Sequence, residues 1–325
     1  MRTTRRTDAS LALVAALLTL VAAAGCATPA ESQVRDGGGS LLLTLEPTGG
    51  LATVTDEAAA ELAARLVGYN RGGVPVVVRF AHEMNGSWYA WGQQPAAYVA
   101  AFRRVAAAIH AGAPGSLMMW APDYGGGYPF TGGRFAAVPG TGDAVVLDTD
   151  GDGVVTIADD PYAPCWPGDD AVDWAGMTLY HWGDAWPWGE NEVPEPSKFV
   201  AQLTGEYVGL GGDDRGLPEF HEVYGVQHGK PVAVPETAAF SARGAGGAGE
   251  LAVKRAWWQQ VSDPRLPALL PRLAMVNWFE WSKQEPEVGA EVDWRAVGST
   301  ELRDGGLTDD PAWARWAGDL PDCSG

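Results

Sequence analysis

The sequence predicts an α/β protein whose parallel sheet curls into a (β/α) barrel. Apolar runs of strand length alternate with segments of helical spacing along the chain. One of them contains Val76, Val77 and Val78 and continues to Phe80, as is typical of strands that are buried on both faces. The chain has 325 residues, of which 46% are hydrophobic, enough for one large domain of the barrel class. Strand–helix alternation over such a length implies parallel pairing, and a barrel is its natural closure.

Six apolar runs are predicted to be strands. The clearest is VPVVVRFAHE, which ends in an acid and leads directly into a segment rich in aromatic residues. In chain order, the predicted strands cover residues 41–47, 74–83, 116–122, 174–180, 230–236 and 273–281. We find no internal repeat and no linker that would divide this series into two domains.

Helices are predicted between these strands. Thr55 is a suitable N-cap, because its hydroxyl can accept an orphan backbone N–H, and acids follow it in the first turn. Pro95 suits the start of a second helix, which keeps its helical spacing as far as Gly112. Further helices are predicted near residues 196–209, 249–261 and 311–319.

Residues 1–25 have the pattern of an export signal. Arginines precede an apolar stretch from Ala9 to Ala24, and small residues follow it. The stretch that ends in Cys26 is similar to a bacterial lipobox, which predicts lipidation of Cys26 and leaves plain cleavage open. A membrane-spanning anchor is less favoured, because about 20 apolar residues are needed to cross a bilayer. We therefore expect a secreted or cell-surface lipoprotein, with residues 26–40 as a flexible linker and residues 41–325 as the barrel domain.

The charge balance argues against several partners. The formal net charge is −19, and no basic cluster interrupts it. Nucleic acids and anionic membrane surfaces are therefore not expected as partners, apart from a lipid anchor. We expect a monomer. An exported setting permits a disulfide between Cys165 and Cys323, but the sequence does not place them within bonding distance.

Glutamates end two of the predicted strands, and both are candidate catalytic residues. Glu83 ends 74–83 and Glu236 ends 230–236. Because barrel active sites lie at the carboxyl ends of the strands, these two side chains can face each other. Paired carboxylates in a cleft lined by tryptophans are the machinery of glycoside hydrolysis. Glu46 and Glu280 also lie at strand ends, so the pattern alone leaves the pairing open. The chain has 15 tryptophans, many of them at the ends of apolar runs: Trp88, Trp91, Trp120, Trp166, Trp182, Trp186, Trp188, Trp278 and Trp281.

The segment RFAHEMNGSWYAWG, residues 79–92, resembles the acid/base segment of glycoside hydrolase family 26. KPVAVPE, residues 230–236, resembles the nucleophile strand of the same family. The family consists of retaining TIM-type (β/α)8-barrel enzymes, mostly β-1,4-mannanases with some β-glucanases and β-1,3-xylanases. The resemblance covers roughly residues 41–300. It implies that Glu83 is the general acid/base and that Glu236 is the nucleophile.

The resemblance also implies substrate-binding residues around this pair. His82 and Trp88 would line subsite −1, Tyr180 would hydrogen-bond the nucleophile, and Trp278 would be the sugar platform. For His82 and Tyr180, an ordinary structural role in the barrel is the alternative. No cofactor is expected for catalysis.

One departure from the family concerns the start of the barrel. In the family the acid/base stands on strand four and the nucleophile on strand seven. Here only one predicted strand, residues 41–47, precedes Glu83, and two βα units do not fit in the short stretch between Cys26 and that strand. We therefore predict six strands, with the first two βα units absent. The expectation is a barrel open on that side, or a gene product that is shortened or mis-started.

The predicted function is an exported, retaining endo-β-glycanase that acts on a polysaccharide, with β-1,4-mannan as the first choice. The alternative is a non-catalytic, glycan-binding lipoprotein on a degenerate or truncated barrel. The presence of both candidate glutamates favours the enzyme. Release of reducing sugar would distinguish the two, because a binding protein retains glycan without cleaving it.

A second candidate site is the stretch DTDGDGVVTIAD, residues 148–159. Its acids have the spacing of a calcium loop, in which side-chain oxygens alternate along the chain and a glycine allows a sharp turn. Neither flank is predicted to be a helix. The alternative is an acidic surface turn. The predicted ligands of a structural Ca²⁺ are Asp148, Asp150, Asp152, the carbonyl of Val154, and Asp159.

Overall fold

A computed structural model of the chain describes residues 34–184, 187–209 and 212–307. Its centre is one sheet of six parallel strands, in the spatial order β1-β2-β3-β4-β7-β8. The predicted fold, a TIM-type barrel with six strands, is confirmed. The strands of this sheet are β1 (Leu41–Leu45), β2 (Val76–Phe80), β3 (Ser116–Trp120), β4 (Trp174–Thr178), β7 (Val232–Thr237) and β8 (Leu273–Trp278).

Helices connect the strands on the outside of the sheet. The Thr55 hydroxyl accepts the backbone N–H of Ala58 at the start of α1, as predicted from the sequence. Pro95 opens α2, also as predicted. The helices are α1 (Asp56–Arg71), α2 (Pro95–Gly112), α3 (Gly142–Leu147), α4 (Lys198–Leu203), α5 (Glu250–Val261), α6 (Leu266–Leu269) and α7 (Thr300–Asp304), with a π-helix over His221–Gln227 and 3₁₀ turns over Leu51–Thr53 and Ala163–Cys165.

Two short antiparallel hairpins lie outside the main sheet. The first pairs β5 (Val208–Gly209) with β6 (Gly212–Asp213). The second pairs β9 (Ser282–Glu285) with β10 (Ala290–Asp293), and it directly follows β8. This second hairpin therefore starts at the carboxyl end of the last strand, where barrel active sites are built.

Several predicted boundaries differ from the structure. The strand predicted over 74–83 ends at Phe80, so that Glu83 lies three residues beyond it in a turn. The helix predicted over 196–209 is confined to α4, because the chain turns at Thr204 and continues into β5. The predictions for the signal segment, Cys26, Trp186, residues 311–319 and Cys323 lie outside the described residues.

The two faces of the sheet have different partners. On β2, Val76, Val78 and Phe80 pack against the helices in the main core. Val77 lies on the opposite, inner face, because side chains alternate along a strand. There it belongs to a smaller apolar cluster with Met119, Ala121, Trp174 and Ala233. Arg79 is two residues further along β2 and shares this inner face, so polar residues stand just above the apolar cluster.

The two edge strands of the sheet are β1 and β8. Their side chains are mostly half-buried, whereas β2 and β4 are buried throughout. The six strands predicted from the sequence leave the barrel open, so its first and last strands are edges. In the described part of the chain, no helix is long and apolar enough to span a bilayer.

Candidate active site

The inner face of the sheet carries a buried arginine at the level of the strand ends. Arg79 is only 2% exposed. One guanidinium nitrogen, Nη1, donates to Oε2 of Glu236, and the other, Nη2, donates to the Thr178 hydroxyl. The same Nη2 lies 3.9 Å from Oε1 of Glu83. A buried charge must be paired, and Arg79 is paired through contacts to both candidate catalytic residues.

Glu236 lies on β7 and is held in its ionised form. The Tyr180 hydroxyl, two residues past β4, donates to Oε1 of Glu236 at 2.6 Å. Burial alone would raise the pKa of Glu236. The positive charge of Arg79 and the hydrogen bonds from Tyr180 and Arg79 outweigh burial, so the pKa lies below the usual 4.5. Glu236 is therefore a carboxylate over most of the pH range.

Glu83 has the opposite electrostatic setting. Its carboxyl is almost buried, and burial raises its pKa to about 7. The negative charge of Glu236 also raises this pKa, while Arg79 opposes the change. The indole N–H of Trp88 donates to Oε2 of Glu83 at 2.8 Å and fixes the direction of the carboxyl. Glu83 is thus the member of the pair that keeps its proton up to the neutral range.

The two carboxyl groups are close enough to act on one bond. A carboxyl oxygen of Glu83, one of Glu236 and a ring nitrogen of His82 all lie within 4.8 Å of one another. Retaining glycosidases have carboxyl groups about 5–5.5 Å apart, whereas inverting enzymes need roughly 6.5–9.5 Å. A carboxylate beside a carboxylic acid at this separation can attack a carbon while its partner donates a proton.

The turn after β2 presents Glu83 through an unusual backbone path. Ala81 and Glu83 both have positive φ, 46° and 56°, a region that non-glycine residues rarely adopt. Asn85 fastens this turn to the end of β3, because its side chain exchanges two 2.8 Å hydrogen bonds with the backbone of Asp123. Such local strain persists only where the surroundings enforce it and is common at active sites.

His82 is buried and uncharged. It is 3% exposed, and burial together with the Arg79 charge lowers the pKa of its imidazole to about 3. Its ring lies 5.1 Å from that of Tyr89, and its backbone carbonyl accepts the indole N–H of Trp91 at 2.7 Å. A neutral imidazole beside Glu83 and Glu236 can hydrogen-bond a sugar hydroxyl without disturbing their charges.

Aromatic side chains border the pair on two sides. Trp88 is 39% exposed and packs edge-on against Phe130, with ring centroids 5.1 Å apart. A Cβ at Gly86 would lie 2.3 Å from the Trp88 ring, which explains the glycine in this motif. Trp278, the last residue of β8, is half-buried, and its indole N–H donates to the Trp294 carbonyl at 2.7 Å. The structure thus brings His82, Trp88 and Tyr180 around the two glutamates and places Trp278 at the adjacent strand end.

Three residues of the site were not predicted from the sequence. Arg79 had a signal, because a single arginine interrupts the apolar run VVVRF and a buried arginine requires an anionic partner. Asp123, three residues past β3, also stands near a strand end, and burial followed by the nearby Glu83 raises its pKa well above the usual value. Thr178 had no signal, because a threonine at the end of a strand is ordinary.

The acidic loop at residues 148–159 is a separate feature. Carboxylate oxygens of Asp148, Asp150 and Asp152 lie within 4.8 Å of one another. Asp159 is not part of this cluster. It is buried, and its carboxylate accepts the backbone N–H groups of Thr149, Asp150 and Thr156 at 2.6–3.1 Å.

The flank of this loop differs from the prediction. The short helix α3 ends at Leu147, directly before Asp148, although no helix was predicted there. Its N-cap is the Thr141 hydroxyl, which accepts the backbone N–H of Ala144. The backbone N–H of Val154 donates to Asp152 at 2.8 Å, so the loop is folded around its own acids. The calcium site, including the Asp159 and Val154 ligands, stays a prediction.

Calcium is expected to raise the melting temperature of the protein, because it would bind only the folded loop. At a free concentration of 100 times Kd, such binding adds about 2.7 kcal/mol, or roughly 5 °C. Thermal unfolding with calcium and with EGTA measures the shift. The double variant Asp148→Asn/Asp152→Asn is the control and should unfold at one temperature in both buffers. Identical wild-type curves would remove the site.

The fold and site define an α/β barrel with an acid and a carboxylate at its strand ends. The family model described as "Glycosyl hydrolase family 26" matches residues 48–112, which include Glu83 and its motif. The resemblance to glycoside hydrolase family 26 is therefore confirmed. A search of curated protein sequences finds no match.

Solved structures are similar in fold. A double mutant of an endo-β-1,4-mannanase from Cellulomonas fimi has a TM-score of 0.50 and 19% identity. A modular endo-β-1,4-mannanase from the same organism has a TM-score of 0.50 and 18% identity. Each match covers 87% of this chain and 56% of the other, so this chain spans little more than half the length of these mannanases. At 18–19% sequence identity, this similarity shows that the fold is shared.

Proposed function

We propose that this chain is a retaining β-glycosidase of the family 26 type that cleaves β-1,4-mannan internally. The observation that carries the proposal is the pair Glu83 and Glu236, which have carboxyl oxygens within 4.8 Å of each other and pKa values displaced in opposite directions. Finding two titratable groups whose environments separate their pKa values identifies an acid and a nucleophile. The family match, together with the endo-β-1,4-mannanase activity of the Cellulomonas fimi proteins that share this fold, supports mannan as the substrate.

The proposed reaction has two steps. Glu83 donates its proton to the glycosidic oxygen while the Glu236 carboxylate attacks the anomeric carbon, and a covalent glycosyl–enzyme forms. Glu83, now ionised, then takes a proton from a water molecule that attacks the same carbon and releases Glu236. Tyr180 and Arg79 hold the Glu236 carboxylate in place, and Trp88 holds the Glu83 carboxyl.

An activity panel tests the proposal. Purified protein is incubated with mannan, mixed-linkage β-glucan and β-1,3-xylan, and reducing sugar is measured. The configuration of the first product is followed by ¹H NMR. Release of β-configured mannooligosaccharides is expected. Binding to mannan without release would favour the glycan-binding alternative, and an α-configured first product would overturn the retaining mechanism.

The pH profile of kcat/KM should be bell-shaped. The active form has Glu236 ionised and Glu83 protonated, so activity rises as pH passes the pKa of Glu236 and falls as pH passes that of Glu83. The acid limb is therefore expected below pH 4.5 and the basic limb near pH 7. Glu83→Gln, assayed with an activated aryl glycoside, should lose the basic limb. A wild-type profile that stays flat through pH 7–9 would contradict the acid assignment.

We also propose that the protein is exported and acts as a monomer, with Cys26 lipidated. The support is the sequence of residues 1–26, which lie outside the described residues. The mass of the N-terminal peptide of the mature protein tests the lipidation, since a lipidated Cys26 carries a thioether-linked diacylglyceryl group that a plainly cleaved amino terminus lacks.

A further inference from the structure

Thr178 occupies the centre of the catalytic face. It is the last residue of β4 and is 1% exposed. Its register partner on β7 is Glu236. On its other side it forms a parallel bridge with Asp123, and its backbone N–H donates to the Pro122 carbonyl at 2.9 Å. The backbone therefore fixes the Thr178 side chain between the nucleophile strand and the strand that leads to Asp123.

The Thr178 hydroxyl accepts one hydrogen bond and can donate another. It accepts from Nη2 of Arg79, which is a donor only. Its own proton must then go to an acceptor, since a buried hydroxyl with an unused donor is unfavourable. Oε1 of Glu83 lies 3.9 Å from the same Nη2, so the Glu83 carboxyl is the acceptor that we infer for this proton. Through this hydrogen bond Thr178 would link the Arg79 guanidinium to the Glu83 carboxyl, which are themselves 3.9 Å apart.

We propose that Thr178 is a positioning residue, whose hydroxyl couples the Glu83 carboxyl to the Arg79–Glu236 pair. This inference rests on the proposed function, because it assigns Glu83 and Glu236 their roles. Trp88 holds Oε2 of Glu83, and a hydrogen bond from Thr178 to Oε1 would give the carboxyl one orientation toward the substrate. Thr178 is neutral, so it does this without adding a further negative charge to a site that already has several acids.

The direction in which Thr178 shifts the pKa of Glu83 depends on whether its hydroxyl stabilises the ionised or the protonated carboxyl. The Thr178 hydroxyl donates to the ionised carboxylate and favours it, which lowers the pKa of Glu83. Without the hydroxyl, Glu83 should keep its proton to higher pH. The other groups that act on Glu83 stay in place: Arg79 on β2, Glu236 on β7, Asp123 after β3, Tyr89 in the turn after β2 and Tyr180 after β4.

The variants Thr178→Val and Thr178→Ser test the proposal. Valine keeps the shape and loses the hydroxyl, so the basic limb of kcat/KM should move up by roughly one pH unit. The kcat value should fall about tenfold, with little change in KM, because the proton donor is misoriented. Serine keeps the hydroxyl and should restore both. A basic limb that stays in place or moves down in Thr178→Val, or a failure of serine to restore it, overturns the proposal.

A matched control separates coupling from the general cost of losing a buried hydroxyl. Thr237 is also fully buried, but its hydroxyl donates to the Leu179 carbonyl and accepts from the Trp257 indole, away from Glu83. Thr237→Val should lower the melting temperature and leave the basic limb unmoved. An equal pH shift in both variants overturns the proposal.

The inference can be tested even if no substrate is found. The Glu83 carboxyl can be titrated by ¹³C NMR in glutamate-labelled protein, with Glu83→Gln to assign its resonance. The Glu83 titration should lie at higher pH in Thr178→Val than in the wild type and return in Thr178→Ser. If the wild type has no activity but Thr178→Val still shifts the Glu83 titration, the proposed function is rejected and the coupling is kept. If the wild type is active but Thr178→Val does not shift the Glu83 titration, the coupling is rejected and the proposed function is kept.

Discussion

Replacement of Glu236 by alanine is expected to lower kcat on mannan by about 10⁴- to 10⁶-fold, the range for loss of an enzyme nucleophile. The reason is geometric and electrostatic. Glu236 is the carboxylate that Arg79 and Tyr180 hold ionised beside the Glu83 acid. A carboxyl oxygen of Glu236 also lies within 4.8 Å of one of Glu83, close enough for both groups to act on one bond. Initial rates with mannan and with an activated aryl β-mannoside measure the loss.

Azide tests which face of the sugar Glu236 occupies. In Glu236→Ala, azide can take the place of the missing carboxylate, and an aryl β-mannoside should yield the α-mannosyl azide. In Glu83→Ala, the glycosyl–enzyme still forms on Glu236, so azide should give the β product. Two products of the same configuration, or a Glu236→Ala variant that is active without azide, would contradict the assignment of the two glutamates.

The loss of activity must be separated from loss of fold. Removal of the Glu236 side chain leaves Arg79 buried without its main partner, which costs about 3–5 kcal/mol for a broken buried ion pair. Glu236→Gln is the matched control, because its amide oxygen can still accept from Arg79. It should lose kcat to a similar extent and retain more of the wild-type melting temperature.

The six strands could be predicted because each is an apolar run bounded by turn residues, as in SLMMW and WAGMT. The same pattern made Glu83 and Glu236 candidates, since the carboxyl ends of parallel strands meet at one edge, but only the family resemblance selected them over Glu46 and Glu280. The short helix α3 was missed because GDAVVL begins with glycine and contains two valines, which are poor helix formers. Its formation depends on the Thr141 cap and on burial of Ala144 and Leu147.

The electrostatics of the site could not be predicted in the same way. Neither the low pKa of Glu236 nor the high pKa of Glu83 is a property of its sequence neighbours. The low pKa of Glu236 depends on Arg79, which is 157 residues away in the chain, and the high pKa of Glu83 depends on burial and on the charge of Glu236. Arg79 and Glu236 are in contact because β2 and β7 place these side chains on the same inner face of the sheet. Only the curvature of the sheet brings the two side chains together across that face. Thr178 illustrates the same limit, since its partners lie on two other strands.

Arg79→Met is the second substitution for which a large effect is expected. Methionine fills a similar volume without charge, so burial would then dominate at Glu236 and raise its pKa. The acid limb of kcat/KM should move to higher pH and approach the basic limb, which narrows the active range. We expect a loss of about 10²- to 10³-fold at the optimum, typical for removal of one preorganised electrostatic contact.

The stability of Arg79→Met should depend on pH in a way that identifies the cause. Above the raised pKa of Glu236, folding must bury an ionised carboxylate without its cation, so the variant should lose stability relative to wild type as pH rises. At low pH, Glu236 is protonated and the difference should shrink. Arg103→Met is the control, because Arg103 pairs with Asp170 at the surface, where such pairs contribute about 0–1 kcal/mol. Melting temperatures from pH 4 to 8 measure both variants. A wild-type pH profile in Arg79→Met would mean that the guanidinium does not control the charge of Glu236, and the nucleophile would then need another source for its low pKa.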